Sequence, residues 1–160
     1  MQTSAHSSAV CFNSILSVEQ QSNITVVQHA SFCKSLSRSV SSSAQSQVIG
    51  PSQPIVATVG DDIILPCHLE PAEDASGKTV EWTRSNLDPR FVYVWRDGGE
   101  LEDKKNPSYR GRTSVFIDQL KLGDISLKLS RVKLSDEGRY KCFNPELGHS
   151  FIELVVGKCM

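Results

Sequence analysis

From position 47 onward the chain is a succession of short apolar runs cut apart by turn residues. The clearest run has Ile63, Leu65, Cys67 and Leu69 alternating with Ile64, Pro66, His68 and Glu70. A period of two predicts a strand with the first set turned to the core. Pro66 has no N–H for a ladder, so its nitrogen is expected to point off the pairing. Just upstream, 48–50 and 55–59 are apolar pieces split by Pro51 and Pro54, as an edge strand broken in two would be. Further strands are predicted at 79–84, 91–96, 113–118, 125–130, 138–144 and 150–156. Val80, Trp82, Leu127, Leu129, Ile152, Leu154 and Val156 point inward, and Val132 follows on the same side. Asp88-Pro89, Asp97-Gly98-Gly99 and Gly123-Asp124 supply turns, and 100–110 leaves room for a short extra edge strand. The run at 91–96 has two candidate faces, Val92, Val94 and Arg96 or Phe91, Tyr93 and Trp95. Aliphatic side chains suit an inter-sheet core, so the aromatic set is assigned outward. The alternative is that the extra edge strand or a neighbouring loop covers those rings.

Residues 1–46 are rich in Ser, carry only Glu19, Lys34 and Arg38 as charges, and hold no sustained period. They are read as a disordered extension, leaving 47–157 as the folded domain. Asn23-Ile24-Thr25 matches the glycosylation acceptor pattern, which matters only if the chain is exported. Positions 1–20 lack a basic segment leading into an apolar core, so they do not read as a secretory signal. No run of about 18 apolar residues spans a membrane. The expectation is therefore a partial or alternative product in which an ordinary signal exon has been replaced.

A formal charge of −1 and a pI near 6.4 give no reason to expect nucleic acid as a partner. The 5 Cys leave at least one thiol without an internal partner. His6, His29, His68 and His149 have no ligand spacing, and no Gly-rich phosphate loop, G-x-S-x-G elbow or C-x-x-C pair occurs. Acidic residues cluster at turns. No catalytic residue, metal ligand or cofactor is assigned, and the chain is not read as an enzyme.

The chain is organised around Asp136-Glu137-Gly138-Arg139-Tyr140-Lys141-Cys142, preceded far upstream by Cys67 and Trp82. This Cys…Trp…Tyr-x-Cys order resembles the immunoglobulin sandwich. The resemblance implies a disulfide from Cys67 to Cys142 joining two sheets, Trp82 packed against it, and Tyr140 as a tyrosine corner. The number of short strands fits the variable type rather than the seven-strand constant type. In the chain-entropy model such a bridge contributes roughly 4 kcal/mol, and it persists in an oxidising compartment, so the domain is expected to be extracellular. An antigen-receptor domain would open its last strand on Phe-Gly-x-Gly, which Glu146-Leu147-Gly148-His149-Ser150 lacks.

The match narrows with Val48-x-Gly50-Pro51, Leu65-Pro66-Cys67-His68-Leu69, Val80-Glu81-Trp82-Thr83-Arg84, Tyr109-Arg110-Gly111-Arg112-Thr113 and Asp136-Glu137-Gly138-x-Tyr140-x-Cys142-Phe143. In that order they resemble the membrane-distal V-type domain of butyrophilins and myelin-oligodendrocyte glycoprotein, relatives of the costimulatory ligands. The resemblance implies an all-β, two-sheet V-type sandwich on the external side of the plasma membrane, or secreted if this chain is complete and exported. It implies membrane attachment only through a segment outside this chain. It further implies that Arg112 pairs with Asp136, a bidentate guanidinium–carboxylate contact. The implied function is immune regulation: binding a protein receptor on another cell, a T cell, and modulating activation and cytokine output. Homophilic adhesion is the alternative. Within the sandwich, the expected partner-binding face is Phe91, Tyr93, Trp95, Glu81, Lys141, Phe143, Phe151 and Glu153, outward on the runs at 79–84, 91–96, 138–144 and 150–156.

Overall fold

A computed structural model describes residues 44–158. Asn23, Cys11, Cys33 and Cys159 lie outside them, as does the reading of 1–43 as disordered.

Among the described residues, eleven strands form two layers. One layer is β1 (Gln47–Ile49) against β4 (His68–Glu70), together with β3 (Ile63–Leu65), β9 (Leu127–Leu129) and β8 (Thr113–Val115) in the order β3-β9-β8. The other runs β2 (Ile55–Thr58), β11 (Gly148–Gly157), β10 (Gly138–Asn144), β5 (Val80–Thr83), β6 (Phe91–Arg96) and β7 (Gly99–Glu100). The expected alternation at 63–70 holds, with Leu65, Cys67 and Leu69 buried and Ile64, His68 and Glu70 exposed. Pro66 interrupts this strand between β3 and β4. The ladder is completed there by one side-chain and one backbone bond: the Cys67 N–H donates to Ser126 Oγ at 3.1 Å, and the Ile125 N–H donates to the Cys67 carbonyl at 3.0 Å. The first strand divides between the layers as its prolines suggest, since β1 pairs with β4 while β2 runs parallel to β11.

Some boundaries differ from expectation. The strand read at 113–118 ends at Val115, because the chain winds into one helical turn, α1 (Ile117–Leu120), that buries Leu120. The strand at 125–130 shortens to β9, and the last strand lengthens to include Gly148 and Gly157.

Between the layers the Cys67–Cys142 disulfide joins them, its Cα atoms 6.8 Å apart. Trp82 is Cys142's neighbour across β5 and β10 and is fully buried, its indole N–H donating to the Ile125 carbonyl at 3.0 Å. A large ring with its one polar atom satisfied is a stabilising core element.

The lower corner is a second anchor. Tyr140 donates its hydroxyl to the Asp136 carbonyl at 2.7 Å, the expected tyrosine corner. Arg112 grips the Asp136 carboxylate with two bonds of 2.8 and 2.7 Å, both side chains nearly sealed from solvent. Burial alone would raise the Asp136 carboxyl. The Arg112 hydrogen bonds and the Lys133 N–H outweigh it and hold the group below its ordinary value. Burial likewise pushes the Tyr140 phenol up. Arg84 completes the corner, donating to the Tyr109 hydroxyl and to the carbonyls of Ser135 and Glu137 while lying over the Tyr140 ring at 5.0 Å. Gly138, at φ 137°, passes so close that a Cβ there would stand 2.8 Å from an Arg84 nitrogen.

Candidate protein-interaction face

The outer face of the larger sheet is set by register. Partners directly across an antiparallel pair share a face. Lys141 lies opposite Phe151 and Thr83, and Phe143 opposite His149 and Glu81, so these outward positions on β11, β10 and β5 form one surface. Cys142, Tyr140 and Ile152, one residue out of phase, are buried in the core.

On β6 the expected facing is overturned. Between Trp82 and Thr83 the register shifts: Trp82 pairs with Tyr93, but Thr83 pairs with Phe91. Val92 is thus the extra residue of a β-bulge, and a one-residue insertion reverses every facing beyond it. Tyr93 and Trp95 follow the inward Trp82 and Val80, and both are buried rather than displayed. Trp95 is only 6% exposed and donates its indole N–H to the Ser76 carbonyl at 2.9 Å. Tyr93 lies under Lys105 Nζ, 4.8 Å from the ring centroid, so a loop does cover this ring. Lys105 is itself buried, held by Glu100, by Glu102 at 2.7 Å and by the Thr113 carbonyl at 3.1 Å. Burial first, and then the Glu100 and Glu102 charges, push the Tyr93 phenol up. Val94 and Arg96, read as inward, belong to the outer face, where Arg96 binds Glu81 at 3.1 Å. Phe91, before the bulge, keeps its outward position and is half-buried.

Of the eight residues read as the face, the structure brings together Glu81, Phe91, Lys141, Phe143, Phe151 and Glu153, and removes Tyr93 and Trp95. Sequence reasoning missed Arg90, Arg96 and Arg139. For Arg139 the signal was present, since it alternates with the inward Tyr140 just as Lys141 does.

The surface is one of aromatic rings, each with a cation on it. Arg139 lies 3.8 Å from the Phe151 centroid, Lys141 4.8 Å from Phe143, and Arg90 5.3 Å from Phe91. Arg139 is also bound to Glu153 at 3.3 Å. Among these residues is an open hollow of about 610 Å³, lined by Thr83, Lys141, Phe143 and Phe151 and by the charged Glu81, Arg90 and Arg139. At the other edge of the sheet, Val56 and Val155 are paired neighbours on β2 and β11 and both exposed. Such a surface suits contact with another protein: exposed, aromatic and fringed with arginine. The β10–β11 connection is correspondingly short. Asn144 pairs with Gly148, and its buried side chain accepts the N–H groups of Glu146 and Leu147 and donates to the Thr79 carbonyl. Among the described residues no group of three or more His, Cys, Asp or Glu could hold a metal, and no helix is long and apolar enough to cross a membrane.

A bridged two-layer sandwich with a tyrosine corner and a V-type strand order defines the class. The chain belongs to the immunoglobulin V-set domain family, whose match covers residues 50–153. More particularly, it is 43% identical over 101 residues to butyrophilin subfamily 1 member A1 of Bos taurus, covering 63% of this chain and 19% of that protein. It is 41% identical over 125 residues to myelin-oligodendrocyte glycoprotein of Macaca fascicularis, covering 77% of this chain and 49% of that protein. The chain thus spans half or less of the length of these curated relatives. Among solved structures, bovine butyrophilin superposes with a TM-score of 0.65 at 36% identity, over 72% of this chain and 56% of that one. The human B7-H4 IgV-like domain superposes at 0.58 with 29% identity, over 71% and 96%. This family of receptor-like proteins is non-enzymatic.

Proposed function

We propose that this V-set domain is an extracellular immune-regulatory module that presents its larger sheet to a protein receptor on another cell, a T cell, and thereby modulates activation and cytokine production. The observation that carries the reading is the outer face of β11, β10 and β5, where Phe151 is 40% exposed beside Phe143 and a cluster of arginine and lysine. A solitary domain has no reason to array such groups together. The short β10–β11 turn adds support, because recognition has a sheet to work with there rather than a long loop. The buried disulfide supports an oxidising, extracellular setting, and kinship with butyrophilin and with B7-H4 supports the immune context.

The test is binding of the displayed chain to activated T cells, with thermal unfolding of each variant as control. Phe143→Ala and Phe151→Ala should each weaken binding by about 1–2 kcal/mol, while charge reversal at Glu70, on the opposite layer, leaves it unchanged. If both phenylalanine variants bind as the parent does, the partner does not use this face.

A further inference from the structure

The charges around the hollow are lopsided. Five cations stand on this face, Arg90, Arg96, Lys104, Arg139 and Lys141, against two carboxylates, Glu81 and Glu153. Both carboxylates are already spent within the face, Glu81 on Arg96 and Glu153 on Arg139. Arg90, Lys104 and Lys141 have no carboxylate within 4.0 Å among the described residues. Arg90, Arg139 and Lys141 line the hollow together with Glu81, whose carboxylate is held by Arg96, and the hydroxyls of Thr83 and Ser85 add donors. A chain whose overall charge is −1 therefore carries a locally basic patch with apolar rims.

We infer that the hollow receives an acidic segment of a heterologous protein, a carboxylate side chain set between Arg90 and Lys141 with an adjacent apolar residue against Phe143 and Phe151. This rests on the proposal that the sheet face is the binding surface, and it specifies the chemistry of the partner. Guanidinium and ammonium groups parked on rings keep their charge and their outward N–H donors, so an entering carboxylate gains charge-assisted hydrogen bonds without breaking an internal pair. A second copy of this chain is the wrong occupant. Two such faces brought together would set unpaired cations against unpaired cations, which complementarity disfavours.

The experiment is a titration of the ¹⁵N-labelled full chain with an N-acetylated, C-amidated hexaglutamate peptide, followed by amide shifts at low and high salt. Saturable shifts at Arg90, Lys141, Phe143 and Phe151 are expected, weakened by salt, with none from hexalysine. The double variant R90E/K141E should lose at least tenfold in peptide affinity while keeping its thermal midpoint, and K141Q alone should lose less. No saturable shift, or shifts centred elsewhere, would overturn the inference, and so would shifts of this face that depend on the chain's own concentration. The T-cell assay separates the two claims. Binding that survives R90E/K141E but not Phe143→Ala sinks the acidic partner and spares the face; binding that survives Phe143→Ala and Phe151→Ala sinks the face itself.

Discussion

The lower corner and the outer face are built from the same ingredients and used in opposite ways. In the corner, Arg84 and Arg112 meet Tyr109 and Tyr140, and almost every donor finds a carbonyl, hydroxyl or carboxylate away from water. On the face, Arg90, Arg139 and Lys141 meet Phe91, Phe151 and Phe143, rings with no polar atom to offer. A tyrosine lets a guanidinium be sealed in, since its hydroxyl can be part of the network. A phenylalanine supports the cation from one side and leaves its N–H groups facing solvent. Paired and buried charge locks two sheets together, whereas charge resting on an apolar ring with no carboxylate beside it, as at Arg90 and Lys141, stays available.

The contrast breaks most sharply in the corner. Asp136→Ala strands the Arg112 guanidinium in a buried site, and loss of about 3–5 kcal/mol is expected in chemical denaturation. Trp95→Ala should cost a similar about 3–5 kcal/mol by opening a cavity. Partner binding that fell while stability held would return this ring to the surface.

Acid tests the corner more gently. The Asp136 carboxyl is lowered in the folded chain, so its contribution is present above the unfolded value. It is lost as pH falls below about 4 through the folded one. Unfolding followed against pH should show this decline, and Asp136→Asn should be flatter there. The smallest effect belongs to the face: Arg139→Ala, exposed and paired only with Glu153, should move stability by no more than about 0.5 kcal/mol. A drop of several times that would mean the face is structural after all.

How far the fold could be read from residues depended on what each reading required. The strand at 138–144 was legible to the residue, because Tyr140 and Cys142 fix its phase and Gly138 its start. The Arg112–Asp136 grip was legible through the family resemblance. The bulge at Val92 was not, since alternation carries no mark of a single extra residue. The preference for aliphatic core then chose the wrong half of 91–96 beyond that point. Nor could it show that Lys105 lies buried among glutamates over Tyr93, a contact made across a loop with no periodicity of its own.

The parallel pairing of β2 with β11 has a mechanical consequence. Ile55 to Thr58 lie beside Leu154 to Gly157 in register, so tension entering before β2 and leaving after β11 slides the two strands past each other. Their hydrogen bonds are then loaded together, in shear, instead of being unzipped one at a time. Behind them the Cys67–Cys142 bridge keeps 75 residues of sequence separation closed, limiting how far the domain can lengthen once that clamp yields. Single-molecule extension should record one force peak, followed by a short extension that grows when the bridge is reduced; a peak that survives replacement of 54–58 by Gly-Ser repeats would place the clamp elsewhere.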